Sequence, residues 1–246
     1  MAERAFVAEG PKLLEEALVA GAAVESVYWS AGAPPALLEQ AGEAGAQLYE
    51  VEAATIERVA DSVSPQPVLS VVATVDRPLT ALQSARLVVV LAGVADPGNA
   101  GTAVRAALAA GAEGVVFAGS TVDPYNPKTV RSTAGTLFRL PIVVSPDAPG
   151  VLHQLGEWGM RRLGAVSTGG LDYAERDLTQ RTALVLGNEA HGLGAAVLAE
   201  LDELVSIPMA GGVESLNVGV AAAVLCFEAS RQARCRQPVV SARPEG

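Results

Sequence analysis

The chain has 246 residues with 17 basic and 27 acidic side chains, a net charge of −10; half of it is hydrophobic and only 4% aromatic, so a core must be built from Ala, Val and Leu. No apolar run approaches the ~20 residues that span a bilayer, and the start, "MAERAFVAEGPKLLEEAL", has early acids and no apolar stretch of a secretory signal. Two cysteines, Cys226 and Cys235, are too few for a disulfide framework and lack a metal-ligand spacing, which leads us to expect a reduced cytoplasmic protein without metal.

Residues 10–21 place Leu13, Leu14, Ala17 and Leu18 at helical spacing between Pro11 and Gly21, predicting a helix. A strand follows at 24–30, a helix at 34–45, a strand at 46–51, a helix at 53–61 and a strand at 68–75. This alternation describes a small α/β sandwich. Residues 76–85 break the rhythm, and a linker over 77–86 is expected. "RLVVVLAGV" (86–94) is a near-continuous apolar run, as in a strand buried on both faces of a parallel sheet. Helices are then expected at 99–111, 127–138 and 148–159, alternating with strands at 114–119, 141–145 and 161–168. Two more strands, 182–188 and 203–209, are reached through short or Gly-rich links. A final apolar helix is expected from about residue 215 to 234, followed by a frayed tail over 236–246.

Strand–helix alternation with apolar strands implies a parallel sheet covered by helices, whose ligands bind beyond the carboxyl ends of the strands. The last three strands each enter a loop rich in glycine or small residues: 167–172, 187–194 and 209–217. Three such loops at one sheet end describe a single pocket walled largely by main chain.

"DPGNAGTAVRAALAAG" (96–111) invites comparison with a phosphate-binding turn but satisfies neither nucleotide fingerprint. Read locally, it is a strand–helix turn with Asn99 as N-cap. Arg105, in a helix otherwise of Ala, Val and Leu, calls for an anion or a carboxylate. Glu189 lies in a glycine-flanked loop at the expected pocket. His191 in the same loop is of a residue type that can serve as a base, though a loop histidine is usually a surface residue, and His153 reads as one. Ser215 and Asn217 either cap the last helix or face a ligand. Cys226 reads as a small core residue.

"NAGTAVR" (99–105), "LVLGNEAHGL" (184–193) and "IPMAGGVESLNVGVAAAVLCFEASRQ" (207–232) together resemble the three motifs of the SpoU (TrmH-like) branch of the SPOUT methyltransferases. The resemblance implies a C-terminal parallel-sheet SPOUT domain (87–235) with a trefoil knot, preceded by a small α/β, L30e-like substrate-binding domain (1–76). It implies S-adenosyl-L-methionine as cofactor, RNA (rRNA or tRNA) as substrate, methylation of a ribose 2′-hydroxyl, and a homodimer. A resistance methyltransferase acting on large-subunit rRNA is one form this function takes. On the matching positions, Thr168, Gly187, Ile207, Met209 and Leu216 would hold the cofactor. Asn99, Arg105, Glu189, Ser215 and Asn217 would form the reaction site, with Arg105 stabilising the developing alkoxide and oriented by Glu189 or a dimer partner. Lys128, Arg131 and Arg139 would contact RNA phosphates, or else form a solvated basic face.

Two rivals remain: a nucleotide-dependent enzyme using "GNAG" as a phosphate turn, and a non-catalytic RNA- or ribosome-binding paralogue. The second is suggested by charge. Residues 1–80 hold four basic and twelve acidic side chains, a balance of −8 that repels RNA.

Overall fold

The computed structural model describes residues 4–60, 62 and 64–236, so the expected tail, Arg236 apart, lies outside the described residues. The N-terminal part is a four-stranded sheet with strand order β1-β4-β2-β3. In chain order it runs β1 (Ala5–Glu9), α1 (Pro11–Val19), β2 (Val24–Trp29), α2 (Pro35–Glu43), β3 (Gln47–Glu50), α3 (Ala53–Val59) and β4 (Val68–Ala73). Both α1 and α2 begin on proline, whose missing N–H costs nothing in a first turn. The strand β1 was not expected. Its five residues are too few to show a period, and antiparallel pairing with β4 holds it in place.

Residues 76–86 are not a loose linker. Asp76 bridges Ile142 in parallel register, the Arg77 N–H donates to the Ile142 carbonyl at 2.7 Å, and Leu82 is fully buried. Gly114 leaves the room Leu82 needs, since a Cβ there would lie 2.3 Å from its methyl.

The second part is a seven-stranded sheet in which every pairing is parallel, as expected. Its strands are β5 (Leu87–Ala92), β6 (Gly114–Ala118), β7 (Ile142–Ser145), β8 (Arg161–Ala165), β9 (Leu171–Asp172), β10 (Thr182–Leu186) and β11 (Glu203–Ser206). They are ordered β7-β6-β5-β10-β8-β11-β9. The helices are α4 (Pro97–Ala110), α5 (Pro127–Thr133), α6 (Ala148–Glu157), α7 (Ala195–Leu198) and α8 (Val218–Arg236). The apolar run of β5 divides between two cores. Leu87, Val89 and Leu91 join the cluster with Val104 and Leu225 under α4 and α8, while Val88 and Val90 meet Leu152 and Leu155 of α6 on the other face. That is why the run shows no alternation.

Three departures of helix bounds from expectation bear on the packing around the site. The 127–138 helix breaks after Thr133, because Ala134 and Gly135 take positive φ, and resumes as a short three-ten turn. α4 starts two residues earlier than expected and α8 starts at Val218. Both shifts change what the neighbouring polar side chains are free to do.

Candidate reaction site

The N-cap of α4 is Asp96, not Asn99: the Asp96 carboxylate accepts from the Asn99 N–H at 2.8 Å. That bond, partly offset by burial, holds the Asp96 pKa below the ordinary carboxylate range, with help from Lys128. The Asn99 side chain is therefore free, and it turns to Glu189, donating through Nδ2 at 2.9 Å. Glu189 also accepts from the N–H groups of Ala95 and Asp96, both at 3.1 Å. Burial alone would raise the Glu189 pKa. The donors, led by the Asn99 amide, outweigh it and hold the carboxyl below its usual range.

Asn217 completes the chain. Its Oδ1 accepts from the N–H groups of Gly219 and Val220, capping α8, and its Nδ2 donates to Asn99 Oδ1 at 2.6 Å. A carboxylate can only accept, so Glu189 fixes which way the Asn99 amide points, and Asn99 in turn agrees with the orientation Asn217 needs as a cap. Residues from three distant segments thus form one hydrogen-bonded relay. Capping and site building proved compatible, since Asn217 does both.

The same contacts, with the Asn99 N–H held by Asp96, weigh against the phosphate-turn rival. In such a turn the amides of the strand–helix bend face a phosphate. Here the Ala95 and Asp96 amides face a carboxylate of the chain itself.

Beside the relay, a cavity of about 580 Å³ opens past the carboxyl ends of β8, β10 and β11, a size suited to a cofactor-like ligand. The three Gly-rich loops converge on it as expected. Gly187, Ile207, Met209 and Leu216 line it, as do Glu189, Ser215 and His191. Thr168 is exposed and does not line it; of its loop only Ser167 does, beside Ala165 and Val166 at the end of β8. Gly187 has no room for a side chain, because a Cβ would stand 2.5 Å from the Gly192 carbonyl. The 187–192 turn is closed by reciprocal Asn188–Gly192 backbone bonds and by Asn188 Oδ1, which takes the N–H groups of Ala190 and His191. Asn188, not singled out in the sequence, shapes this wall.

Arg105 stands on the exposed side of α4, and none of the described residues offers it a hydrogen bond or ion pair. Glu189 does not orient it, because the carboxylate is spent on Asn99 and two backbone amides; of the two expected orienting groups the dimer partner remains. Ser215 is exposed at the cavity, also without a hydrogen bond among the described residues. The three expected phosphate contacts separate. Lys128 is exposed and lies 3.4 Å from Asp96. Arg131 meets the buried Glu9 of β1 at 3.5 Å, so it joins the two parts of the chain. Arg139 is exposed. Cys226 is buried, which pushes its thiol up to about 12 and keeps it an inert core residue. His153 is on the surface, 3.5 Å from Glu200. Among the described residues no cluster suits a metal ion, and no helix is long and apolar enough to cross a membrane.

The SpoU rRNA Methylase family model matches residues 86–227, and the MRM3-like substrate binding domain matches residues 1–70. The chain is 35% identical over 222 residues to the 23S rRNA (guanosine(2553)-2′-O)-methyltransferase RlmP of Bacillus subtilis (strain 168), covering 90% of this chain and 87% of that protein. Among solved structures, the AdoMet-bound rRNA methyltransferase from Sinorhizobium meliloti superposes with a TM-score of 0.81 at 31% identity, over 93% of this chain and 87% of that one. The SpoU methyltransferase AviRb from Streptomyces viridochromogenes, in complex with the cofactor AdoMet, superposes with a TM-score of 0.84 at 29% identity, over 94% and 92%.

Proposed function

The chain belongs to the SpoU rRNA Methylase family, and from that premise we propose that it is an S-adenosylmethionine-dependent methyltransferase acting on a ribose 2′-hydroxyl of ribosomal RNA. The observation that carries the reading is the Asn99–Glu189–Asn217 relay at the rim of the 580 Å³ cavity. It ties all three motif segments to one place where a cofactor and a ribose can meet.

The cavity suits the cofactor in its mixed lining. Leu186, Ile207, Leu216 and Leu225 offer an apolar wall, and the turns at Gly187 and Met209 bring main-chain polar groups beside it. Gly187, Ile207, Met209 and Leu216 would hold it, with Thr168 at the outer rim. When bound, it supplies an electrophilic methyl group. The chain must then fix the ribose hydroxyl in line with that methyl and stabilise the oxygen as its proton passes to solvent water at the open cavity mouth. Glu189, held ionised by three donors, is poorly suited to take that proton. Its work is to set Asn99, and through it the bend at the start of α4. Arg105 is the cation available for the alkoxide and a neighbouring phosphate; a guanidinium keeps its proton to a pH above ~12 and cannot serve as base. Ser215, exposed at the cavity, is left to bind the ribose.

Residues 1–76 serve as the substrate-binding unit, 77–86 as a packed joint and 87–235 as the methyl-transferring unit. Lys128 and Arg139 remain as phosphate contacts; Arg131 is withdrawn from that role. A homodimer is supported by the outward face of α8, where Val220 (45% exposed) and Phe227 (47%) flank the half-buried Val224 at helical spacing. A trefoil knot is supported by the return of the chain from β11, near one sheet edge, to pack α8 on α4 beside the central strands. Two unpaired cysteines agree with a cytoplasmic setting.

The test incubates labelled S-adenosylmethionine with unmodified rRNA and tRNA fractions and maps the modified ribose. Label in a 2′-O-methylated rRNA nucleotide is expected. Cofactor binding without transfer to any RNA would favour the non-catalytic paralogue.

A further inference from the structure

The N-terminal sheet has two edges, and only one is covered. β1 is backed by α5, with Phe6 packed on Tyr125 at 4.8 Å between ring centres. β3, at the other edge, is exposed at all four residues, and its outer backbone groups have no partner among the described residues. In the larger sheet the corresponding edges are closed: β7 carries the Asp76 bridge and β9 is two residues long. An open edge is a template for another extended chain, and proteins normally blunt it with a charge, a bulge or a cover.

β3 is short and ends on a charge, Glu50, yet it is paired on one side only and leaves an aromatic ring in the open. Tyr49 stands directly opposite Tyr28 on β2, their rings stacked with centres 5.2 Å apart and both exposed (43% and 37%). Leu48, on the opposite face of the strand, is 40% exposed. Exposed tyrosines and an aliphatic side chain on alternate faces of a free strand are the features that seat an added strand. The surrounding charge selects what that strand carries. From residue 39 to 57 there are five acids, Glu39, Glu43, Glu50, Glu52 and Glu57, and no lysine or arginine; all five acids are exposed. A phosphate backbone is repelled by this rim. An arginine or lysine side chain is attracted by it and gains further from the tyrosine faces.

We propose that the free edge of the N-terminal sheet at β3 is a docking site for an extended, lysine- and arginine-rich polypeptide segment, which adds to the sheet beside Tyr49. RNA then approaches from elsewhere. This inference does not rest on methyl transfer, and it gives the acidity of a substrate-binding unit a use: at this edge the unit grips a basic protein component of a ribonucleoprotein, which leaves its other surfaces for the RNA.

The test uses the full chain and a fluorescein-labelled decapeptide alternating arginine and valine, followed by anisotropy at 0.15 M salt. A single-stranded RNA dodecamer serves as the competing class. Wild type is expected to bind the peptide, with slowed hydrogen exchange at the β3 amides. Two variants, Tyr28→Ala with Tyr49→Ala and, separately, Glu43→Lys with Glu50→Lys, are each expected to bind at least 10-fold more weakly while S-adenosylmethionine binding is unchanged. Equal binding by wild type and both variants would reduce the effect to overall acidity and overturn the proposal. So would protection of the β3 amides by the RNA and not by the peptide, which would make the tyrosines a platform for nucleobases.

Discussion

Arg105 and Glu189 make opposite predictions although both are assigned to one site. Arg105 makes no hydrogen bond or ion pair among the described residues, so the proposed alkoxide role predicts that Arg105→Ala leaves the melting temperature and cofactor binding unchanged while lowering turnover by roughly 10²-fold, as when an oxyanion donor is removed. Arg105→Lys separates planar recognition from mere charge; near-normal turnover in that variant would count against a bidentate role. Glu189 is spent on the fold of the site. Its folded pKa lies below the ordinary carboxylate value, so its contribution to stability is present above that value and is lost as pH falls through the depressed one. Glu189→Gln should flatten that acidic limb in a melting-temperature series and weaken methylation at neutral pH; an unchanged limb would remove Glu189 from the relay. The residue types of this site were legible in the sequence, but their bonding was not. Whether Asn99 caps α4 or faces the pocket depends on a two-residue shift of the helix start, which the sequence leaves open because Asp96, Pro97 and Asn99 all suit a first turn.

The elements meet through glycines. Gly219, in the first turn of α8, lies against α4, where a Cβ would come within 2.8 Å of Thr102 Cβ. Gly219→Ala should therefore destabilise the protein by about 1–3 kcal/mol as α8 is pushed off α4, and it should loosen the Asn217–Asn99 bond with it. Equilibrium denaturation gives the first effect and cofactor affinity the second. An alanine tolerated without loss would mean that α8 is free to slide. The parallel strands were readable because burial on both faces leaves long apolar runs, as at 86–94. The convergence of the three loops was readable for a related reason: each follows a strand of one parallel sheet, so all must emerge at the same end. The short elements were not. β9, α7 and the break at Ala134 are too brief to carry a period, and packing of the surrounding chain decides them.

At the scale of the molecule, the sequence divides the chain where the structure joins it. The rhythm breaks at residues 76–85, yet the core is continuous from Phe6 and Val72 of the first sheet and Leu14 of α1 to Val104 and Leu137 beneath the second sheet. Phe6 packs on Tyr125 and Phe138, the Glu9 carboxylate takes Arg131 and the Ser62 hydroxyl, and the Tyr125 hydroxyl donates to Asp76 while accepting the Val75 N–H at 2.9 Å. No sequence pattern announces such a joint, because its partners lie 49 to 132 residues apart. Wild type should accordingly unfold in one calorimetric transition. Phe6→Ala, at a cost of about 3–5 kcal/mol if the site cannot collapse, should split that transition or lower it, whereas two transitions in wild type would refute the joint. The phenol adds a pH signature. Burial first, and then the charge of Asp76, raise the Tyr125 pKa above that of an ordinary phenol. A group whose folded pKa is raised contributes stability that is full below the unfolded value and lost as pH climbs toward the folded one. The melting temperature should therefore fall more steeply above pH 10 in wild type than in Tyr125→Phe, which forfeits about 1 kcal/mol of hydrogen bonding at neutral pH but has no proton to lose.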